Sequence, residues 1–201
     1  MKNEIVAHND LKIRIEEDFF NSADSNKLLK KFISKLPWES MIIKMFGKDT
    51  KIPRLQCWIG DEGCEYRYSG KQLNRQIWSP DLMMIRKKIY EKLKIDFNSV
   101  LANYYRDGKD SMGWHSDDEK ELGPDPTIAS ISFGSERDLV FRNKITKETI
   151  AIPQTNGCLI LIDGETQKNW QHSIKKTQKV IGPRINLTFR NIINKNNFKD
   201  F

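Results

Sequence analysis

The sequence predicts an α+β protein that is mainly β, and three observations carry that expectation. After residue 98, short β-branched and aromatic runs at 100–105, 127–133, 138–142, 149–152, 157–162, 171–174 and 184–190 are separated by Gly, Pro, Asn and Asp turns. That spacing suits a sandwich or barrel. Before residue 98 two segments carry helical periodicity, enough to pack two helices on the outside of the β-structure. Finally, 201 residues without an internal repeat or low-complexity linker suit one domain. The change of texture divides that domain into an N-terminal extension at 1–98, a core at 99–192 and a polar tail at 193–201.

In chain order, the polar N-terminus around His8 reads as mobile. Residues 22–36 read as an amphipathic helix, with Leu28, Leu29, Phe32, Ile33 and Leu36 at helical spacing and Pro37 following. Residues 41–46 read as a strand, with Phe46-Gly47-Lys48-Asp49 as a hairpin tip. Residues 53–68 are strand-like and aromatic, broken by Gly60-Asp61-Glu62-Gly63. Ser79 followed by Pro80 is an N-cap with Pro at the first helical position. The helix it starts runs to about residue 93, with Leu82, Ile85, Ile89 and Leu93 inward.

The composition is 38% hydrophobic and 30% charged, with ten Phe, five Trp and five Tyr, a globular profile rather than a disordered one. Lys and Arg number 34 against 27 Asp and Glu, a net charge of +7. Such an excess favours an anionic partner, nucleic acid first and a membrane surface second. No apolar run reaches the length of a membrane span, and the start has no apolar signal-peptide core, so a cytoplasmic or nuclear protein without a membrane is expected. Cys57, Cys64 and Cys158 have neither zinc-ribbon nor redox-motif spacing and are expected to be reduced thiols.

Candidate chemistry starts from the histidines. Trp114-His115-Ser116-Asp117-Asp118-Glu119 places a carboxylate two residues after His115, and His172 lies beside a later β-run. Two His and one carboxylate hold Fe(II) while leaving positions open for co-substrate and O2. Residues i and i+2 of a strand or its end point the same way, so His115 and Asp117 can grip one metal, with His172 arriving from another strand. With 27 acids in 201 residues, roughly 13% of histidines have an acid two positions on. A solvated acidic turn therefore stands as the equal alternative.

Arg184-Ile-Asn-Leu-Thr-Phe-Arg190 shifts that balance. Period-2 alternation places Arg184, Asn186, Thr188 and Arg190 on one face and Ile185, Leu187 and Phe189 on the other. A half-buried strand with a wet outer face would read similarly, but here two arginines flank Asn and Thr with no acid in the run to pair them. Arginine suits bidentate carboxylate capture, and two on one face can hold a dicarboxylate at both ends. Asn103 and Tyr105 share a face of another strand and offer a second polar pair. Metal triad and dicarboxylate clamp together point to a 2-oxoglutarate-dependent oxygenase.

On these residues, together with Phe46-Gly47-Lys48, Pro53-Arg54, Tyr66-Arg67-Tyr68-Ser69-Gly70, Asn103-Tyr104-Tyr105 and Ile128-Ala-Ser-Ile-Ser-Phe-Gly134, the chain resembles the AlkB family of oxidative DNA and RNA dealkylases over roughly residues 41–192. It is most similar to the eukaryotic-type branch that repairs duplex and single-stranded DNA. The resemblance implies a double-stranded β-helix, or jelly-roll, core with the two flanking helices and an N-terminal nucleotide-recognition lid. It implies His115, Asp117 and His172 as iron ligands. Arg184, helped by Asn103 and Tyr105, would take the distal carboxylate of 2-oxoglutarate, and Arg190 would sit near its chelating end with Asn186 and Thr188 in support. It also implies a lid in which Tyr66 and Tyr68 stack on a flipped base, and Asp118 and Glu119 near the edge of a cationic base. Phe46, Gly47 and Lys48 would form a finger that wedges into duplex DNA, and Arg54 would meet the phosphate backbone.

The implied reaction is oxidative demethylation of 1-methyladenine and 3-methylcytosine in DNA, coupled to conversion of 2-oxoglutarate and O2 to succinate and CO2, with release of formaldehyde. The enzyme is expected to act as a monomer on single- and double-stranded DNA. RNA demethylation, protein side-chain hydroxylation and a catalytically dead nucleic-acid-binding module are the alternatives. The charge surplus falls in two places. Residues 168–201 hold Lys168, Lys175, Lys176, Lys179, Arg184, Arg190, Lys195 and Lys199 against Asp200, and Lys44, Lys48, Lys51 and Arg54 flank the finger. Both are expected to form a phosphate footprint around an acidic mouth.

Overall fold

The computed structural model describes residues 3–8, 10–45, 47–68, 70–179 and 181–193, and of residues 3, 4, 45 and 68 the backbone alone. The chain opens with strands β1 (Asn3–His8) and β2 (Leu11–Glu16), then helix α1 (Ser22–Lys35). The hairpin β3 (Ile42–Met45) and β4 (Lys48–Lys51) follows, then β5 (Leu55–Gly60) and the short β6 (Arg67–Tyr68), β7 (Lys71–Gln72) and β8 (Arg75–Gln76). Helix α2 (Pro80–Leu93) leads to β9 (Ser99–Tyr105) and β10 (Met112–His115). The rest is β11 (Ile128–Gly134), β12 (Arg137–Asn143), β13 (Thr149–Gln154), β14 (Leu159–Ile162), a short helix α3 (Thr166–Asn169), β15 (Trp170–Ile174) and β16 (Arg184–Arg190).

Eight strands form one sheet in the order β1-β2-β14-β11-β16-β9-β5-β8, and four form a second in the order β10-β15-β12-β13. Both belong to a jelly-roll core, and the alternation of β16 shows how its layers are sorted. Ile185, Leu187 and Phe189, each 0% exposed, pack in one cluster with Leu28 and Phe32 of α1 and with Leu82, Ile85 and Ile89 of α2. Truncating such a side chain, as in Leu187→Ala, costs about 2–5 kcal/mol. The opposite side of the large sheet supplies Ile128, Ile160 and Ile162, which cluster with Leu139, Phe141, Ile152, Trp170 and Ile174 of the small-sheet strands. The two helices therefore cover one face of the large sheet, and the second sheet covers the other.

Local signals explain the helix ends. Asn21 Oδ1 accepts the Asp24 N–H at 2.8 Å to start α1, and Ser79 Oγ accepts the Leu82 N–H at 3.3 Å to start α2. Lys94 closes α2 in the left-handed conformation, φ 59°. Gly134 ends β11 at φ +95°, where a Cβ would meet the Pro183 carbonyl oxygen at 2.3 Å. Only glycine lets β11 reach the start of β16 there.

The N-terminus departs from expectation. Instead of a mobile segment around His8, β1 and β2 form a hairpin whose second strand pairs with β14, so Leu11, Ile13 and Ile15 are buried. His8 Nε2 stands 3.0 Å from Glu148 Oε1. The signal was present, since Leu11-Lys-Ile-Arg-Ile-Glu16 alternates apolar and charged residues with period 2. Strands from both sides of residue 98 share the large sheet.

Candidate active site

The small sheet brings the two candidate histidines together. His115 ends β10 and is the cross-strand partner of His172 in β15, with ring centroids 4.2 Å apart. Asp117 follows two residues beyond the strand end. Its Oδ1 lies 4.0 Å from His115 Nε2 and its Oδ2 lies 3.8 Å from His172 Nε2. One ligand atom from each of the three lies within 4.8 Å of the others, a size that suits one cation. The His115 Nδ1 lies 3.0 Å from the Gly113 carbonyl oxygen. A carbonyl only accepts, so Nδ1 carries the proton and Nε2 offers its lone pair outward.

Burial sets the charges. Desolvation, with His115 alongside, pushes His172 down to about 3, so its imidazole is neutral and available as a ligand. Burial also lowers His115, against the pull of Asp117. For Asp117 burial acts upward, but Arg190, through its charge and its hydrogen bond, outweighs it and holds the carboxyl below its ordinary range. Two neutral imidazoles and an ionised carboxylate are the donor set a divalent transition metal takes.

The triad opens into a cleft lined by both sheets, including Tyr105, Ser130, Gln154, Arg184, Asn186, Thr188 and Arg190. Every residue of β16 is buried, so its polar face is the cleft wall rather than a wet surface. Arg184, 1% exposed, donates through Nε to Ser132 Oγ at 2.8 Å and through Nη2 to Gln154 Oε1, while its Nη1 has no partner. An arginine buried without a carboxylate and with an unmatched N–H group is suited to an incoming carboxylate. Asn186 Nδ2 donates to Ser130 Oγ at 2.8 Å, and Thr188 Oγ1 donates to Asn186 Oδ1 at 2.9 Å, which stiffens the wall between the two arginines. Ser130 and Ser132 entered the sequence reading only within the 128–134 motif and without a role, and Gln154 did not enter it. The serines alternate with Ile131 and Phe133, which was a usable signal, whereas Gln154 carried none.

Several expectations need correction. The two arginines of β16 are not alike, because Arg190 Nη2 binds Asp117 Oδ1 at 2.5 Å. Asn103 is buried, stands opposite Asn186 across β9 and β16, and its Oδ1 accepts from Arg54 Nε at 2.8 Å. Arg54, 3% exposed, cannot reach a phosphate backbone from there. Tyr66 is 0% exposed against Trp58, with ring centroids 5.9 Å apart, so it offers no face for a base to stack on. Its hydroxyl instead donates to Glu119 Oε1 at 2.9 Å. Glu119 Oε2 is buried without a partner, and burial raises its carboxyl above the ordinary range against the pull of Arg190. Asp118 is exposed, 3.9 Å from Lys144. Arg184 and Arg190 leave the proposed phosphate footprint for the cleft, and Lys195 and Lys199 lie outside the described residues. Lys168 pairs with Asp125, which leaves Lys175, Lys176 and Lys179 exposed.

In the hairpin, Gly47 at φ +78° turns β3 into β4, and Lys44, Lys48 and Lys51 are exposed. Phe46 and the Tyr68 side chain lie outside the described residues.

Comparison with known proteins agrees with this geometry. A family model described as the 2OG-Fe(II) oxygenase superfamily matches residues 12–190. The chain is 35% identical over 185 residues to the DNA oxidative demethylase ALKBH2 of Mus musculus, covering 87% of this chain and 77% of that protein. It is 40% identical over 159 residues to ALKBH2 of Homo sapiens, covering 75% of this chain and 61% of the human protein. The alpha-ketoglutarate-dependent dioxygenase alkB homolog 3 of Mus musculus is 35% identical over 183 residues, of which this chain spans 64%. In fold, the chain is similar to the solved structure of OsALKBH1, with a TM-score of 0.62, 14% identity, and coverage of 89% of this chain and 97% of that one.

Proposed function

The chain belongs to the 2OG-Fe(II) oxygenase superfamily, and from that premise we propose that it is an oxidative DNA demethylase acting on 1-methyladenine and 3-methylcytosine in dealkylation repair. The observation that carries the reading is one cleft holding both the His115–Asp117–His172 cluster and an Arg184 with an unmatched buried N–H group. The relatives named DNA oxidative demethylase support DNA as the substrate. The exposed Lys44, Lys48 and Lys51 of the hairpin support a polyanionic partner.

In this reading His115, Asp117 and His172 hold iron, and Arg184 takes the distal carboxylate of 2-oxoglutarate beside Tyr105. Iron and 2-oxoglutarate, when bound, would supply with O2 as oxidant the chemistry that converts an N-methyl group to formaldehyde, with release of succinate and CO2. Arg190 keeps Asp117 ionised and aimed, and Asn186 and Thr188 keep the two arginines apart. Both sheets shield the cleft from water, which strengthens the fixed charges within it. In this reading Glu119, held by the Tyr66 hydroxyl, would meet the edge of a cationic base, with Asp118 nearer the solvent. In the same reading Phe46, Gly47 and Lys48 would wedge into the duplex and Tyr68 would contribute to the lid.

The test is formaldehyde release from oligonucleotides carrying 1-methyladenine or 3-methylcytosine, with Fe(II) and 2-oxoglutarate each required. His115→Ala and His172→Ala are each expected to abolish it, and full activity in either variant would overturn the metal assignment. Release from methylated RNA or peptide but not from DNA would move the substrate. Release from none of them would leave a binding module.

A further inference from the structure

Asp117 sits outside regular structure, two residues past the end of β10, yet its carboxylate must face two histidines. Its own N–H donates to Gln167 Oε1 at 3.0 Å. Gln167 lies on α3, is 2% exposed, and its Nε2 has no partner. Beside it, Ser116 Oγ donates to the Trp170 carbonyl at 3.0 Å, and Lys144 Nζ donates to the Gln167 carbonyl at 2.8 Å. Helix α3 runs directly into β15, which carries His172. The same four-residue helix therefore reaches Asp117 through a side chain and His172 through the backbone.

The helix is itself anchored from the far end of the chain. Thr166 Oγ1 accepts the Lys12 N–H at 3.0 Å, and Asn169 Nδ2 donates to Asp10 Oδ2 at 2.5 Å. A buried loop N–H without its acceptor would turn to find another, and the carboxylate two bonds from its Cα would turn with it.

We infer that Gln167 is a positioning residue, setting the direction of the Asp117 carboxylate toward His115 and His172 and thereby the affinity for the metal. The inference rests on those three residues being the metal ligands. Groups that orient a metal ligand commonly carry 10- to 100-fold of the affinity.

The experiment titrates Co(II) into the full chain under anaerobic conditions and follows both affinity and d–d absorption. Gln167→Leu removes the acceptor and is expected to raise the Kd for Co(II) by about 10- to 100-fold and to alter the absorption bands. Gln167→Glu keeps an oxygen for the Asp117 N–H and is expected to bind Co(II) at least tenfold more tightly than the leucine variant. A purely structural role would lower the thermal midpoint of both variants without moving the Kd. Wild-type affinity in the leucine variant, or equal loss in both, would overturn the inference. If the leucine variant does not fold, Gln167→Met, closer in shape, is held to the same expectation. Absence of Co(II) binding by the unmodified chain would instead overturn the metal reading on which the inference stands.

Discussion

Arg190 Nη2 stands 2.5 Å from Asp117 Oδ1, with both side chains less than 5% exposed. This ion pair joins the last residue of β16 in the large sheet to the loop that follows β10 in the small one. Burial opposes both charges, and the pair offsets it, holding the carboxyl low and the guanidinium high. A metal ligand is thereby kept ionised before any cation arrives.

Removing one partner of a buried pair strands the other. Arg190→Met is therefore expected to destabilise the metal-free protein by about 3–5 kcal/mol. Saturating Co(II) should recover part of that loss, because the cation compensates Asp117 in place of the guanidinium. Urea unfolding with and without Co(II) measures both. An equal loss in each condition would assign the cost to packing alone.

Arg184 predicts a different signature. Its unmatched Nη1 awaits an anion, and a hydrogen bond to a charged group contributes about 1.5–3 kcal/mol. Arg184→Ala should raise the KM for 2-oxoglutarate about tenfold to a hundredfold, with kcat less affected. Arg184→Lys should rescue only part, since an ammonium cannot reproduce the fork. Unchanged co-substrate dependence would show that the carboxylate is held elsewhere.

The hairpin predicts a salt effect. Replacing Lys44, Lys48 and Lys51 by Gln should weaken duplex DNA binding and flatten its dependence on log salt by up to about 3, roughly 0.9 for each phosphate that a lysine no longer neutralises. Phe46→Ala should harm repair of duplex more than of single strands. Equal losses on both substrates would remove the wedge.

The cysteines predict an alkaline limit. Burial pushes Cys57 up to about 12 and Cys158 up to about 11. Their folded values lie above the unfolded value of about 8.5. The stability tied to the neutral thiols is complete below that pH and is lost as pH rises toward 11–12. The loss is about 1.4 kcal/mol per pH unit for each thiol within the window. Urea midpoints between pH 8 and 10 should fall accordingly, and Cys57→Ala with Cys158→Ala should flatten the fall. A thiol reagent at pH 8 should label the folded protein slowly and the unfolded protein at once.

Much of this was legible along the chain because it is periodic. The alternation of Arg184 to Arg190 defined β16 residue for residue, and Ser79-Pro80 marked the start of α2. His115 and Asp117 were paired by their i, i+2 spacing, and His172 joined them as the remaining histidine beside a β-run. What failed shares a cause, since a charge in a sequence does not reveal its depth. Arg54, Arg184 and Arg190 counted toward a basic surface, yet all three are buried. The resemblance gave Tyr66 a stacking face, and its alternation with Tyr68 could not correct that, because the pattern is the same whether a ring faces a base or the core.

The sequence by itself determined the two long helices, most of the later strands, the donor types and the spacing that brings two metal ligands to one strand end, because these depend on neighbours a few residues apart. Only the tertiary structure decided which charges meet. Pairing β10 with β15 set His115 against His172, and closing the small sheet over the large one brought Arg190 onto Asp117. Docking α3 against the N-terminal hairpin placed Gln167 on the Asp117 amide. Each of these pairings spans tens of residues in the chain, and burial rather than local pattern determines its strength.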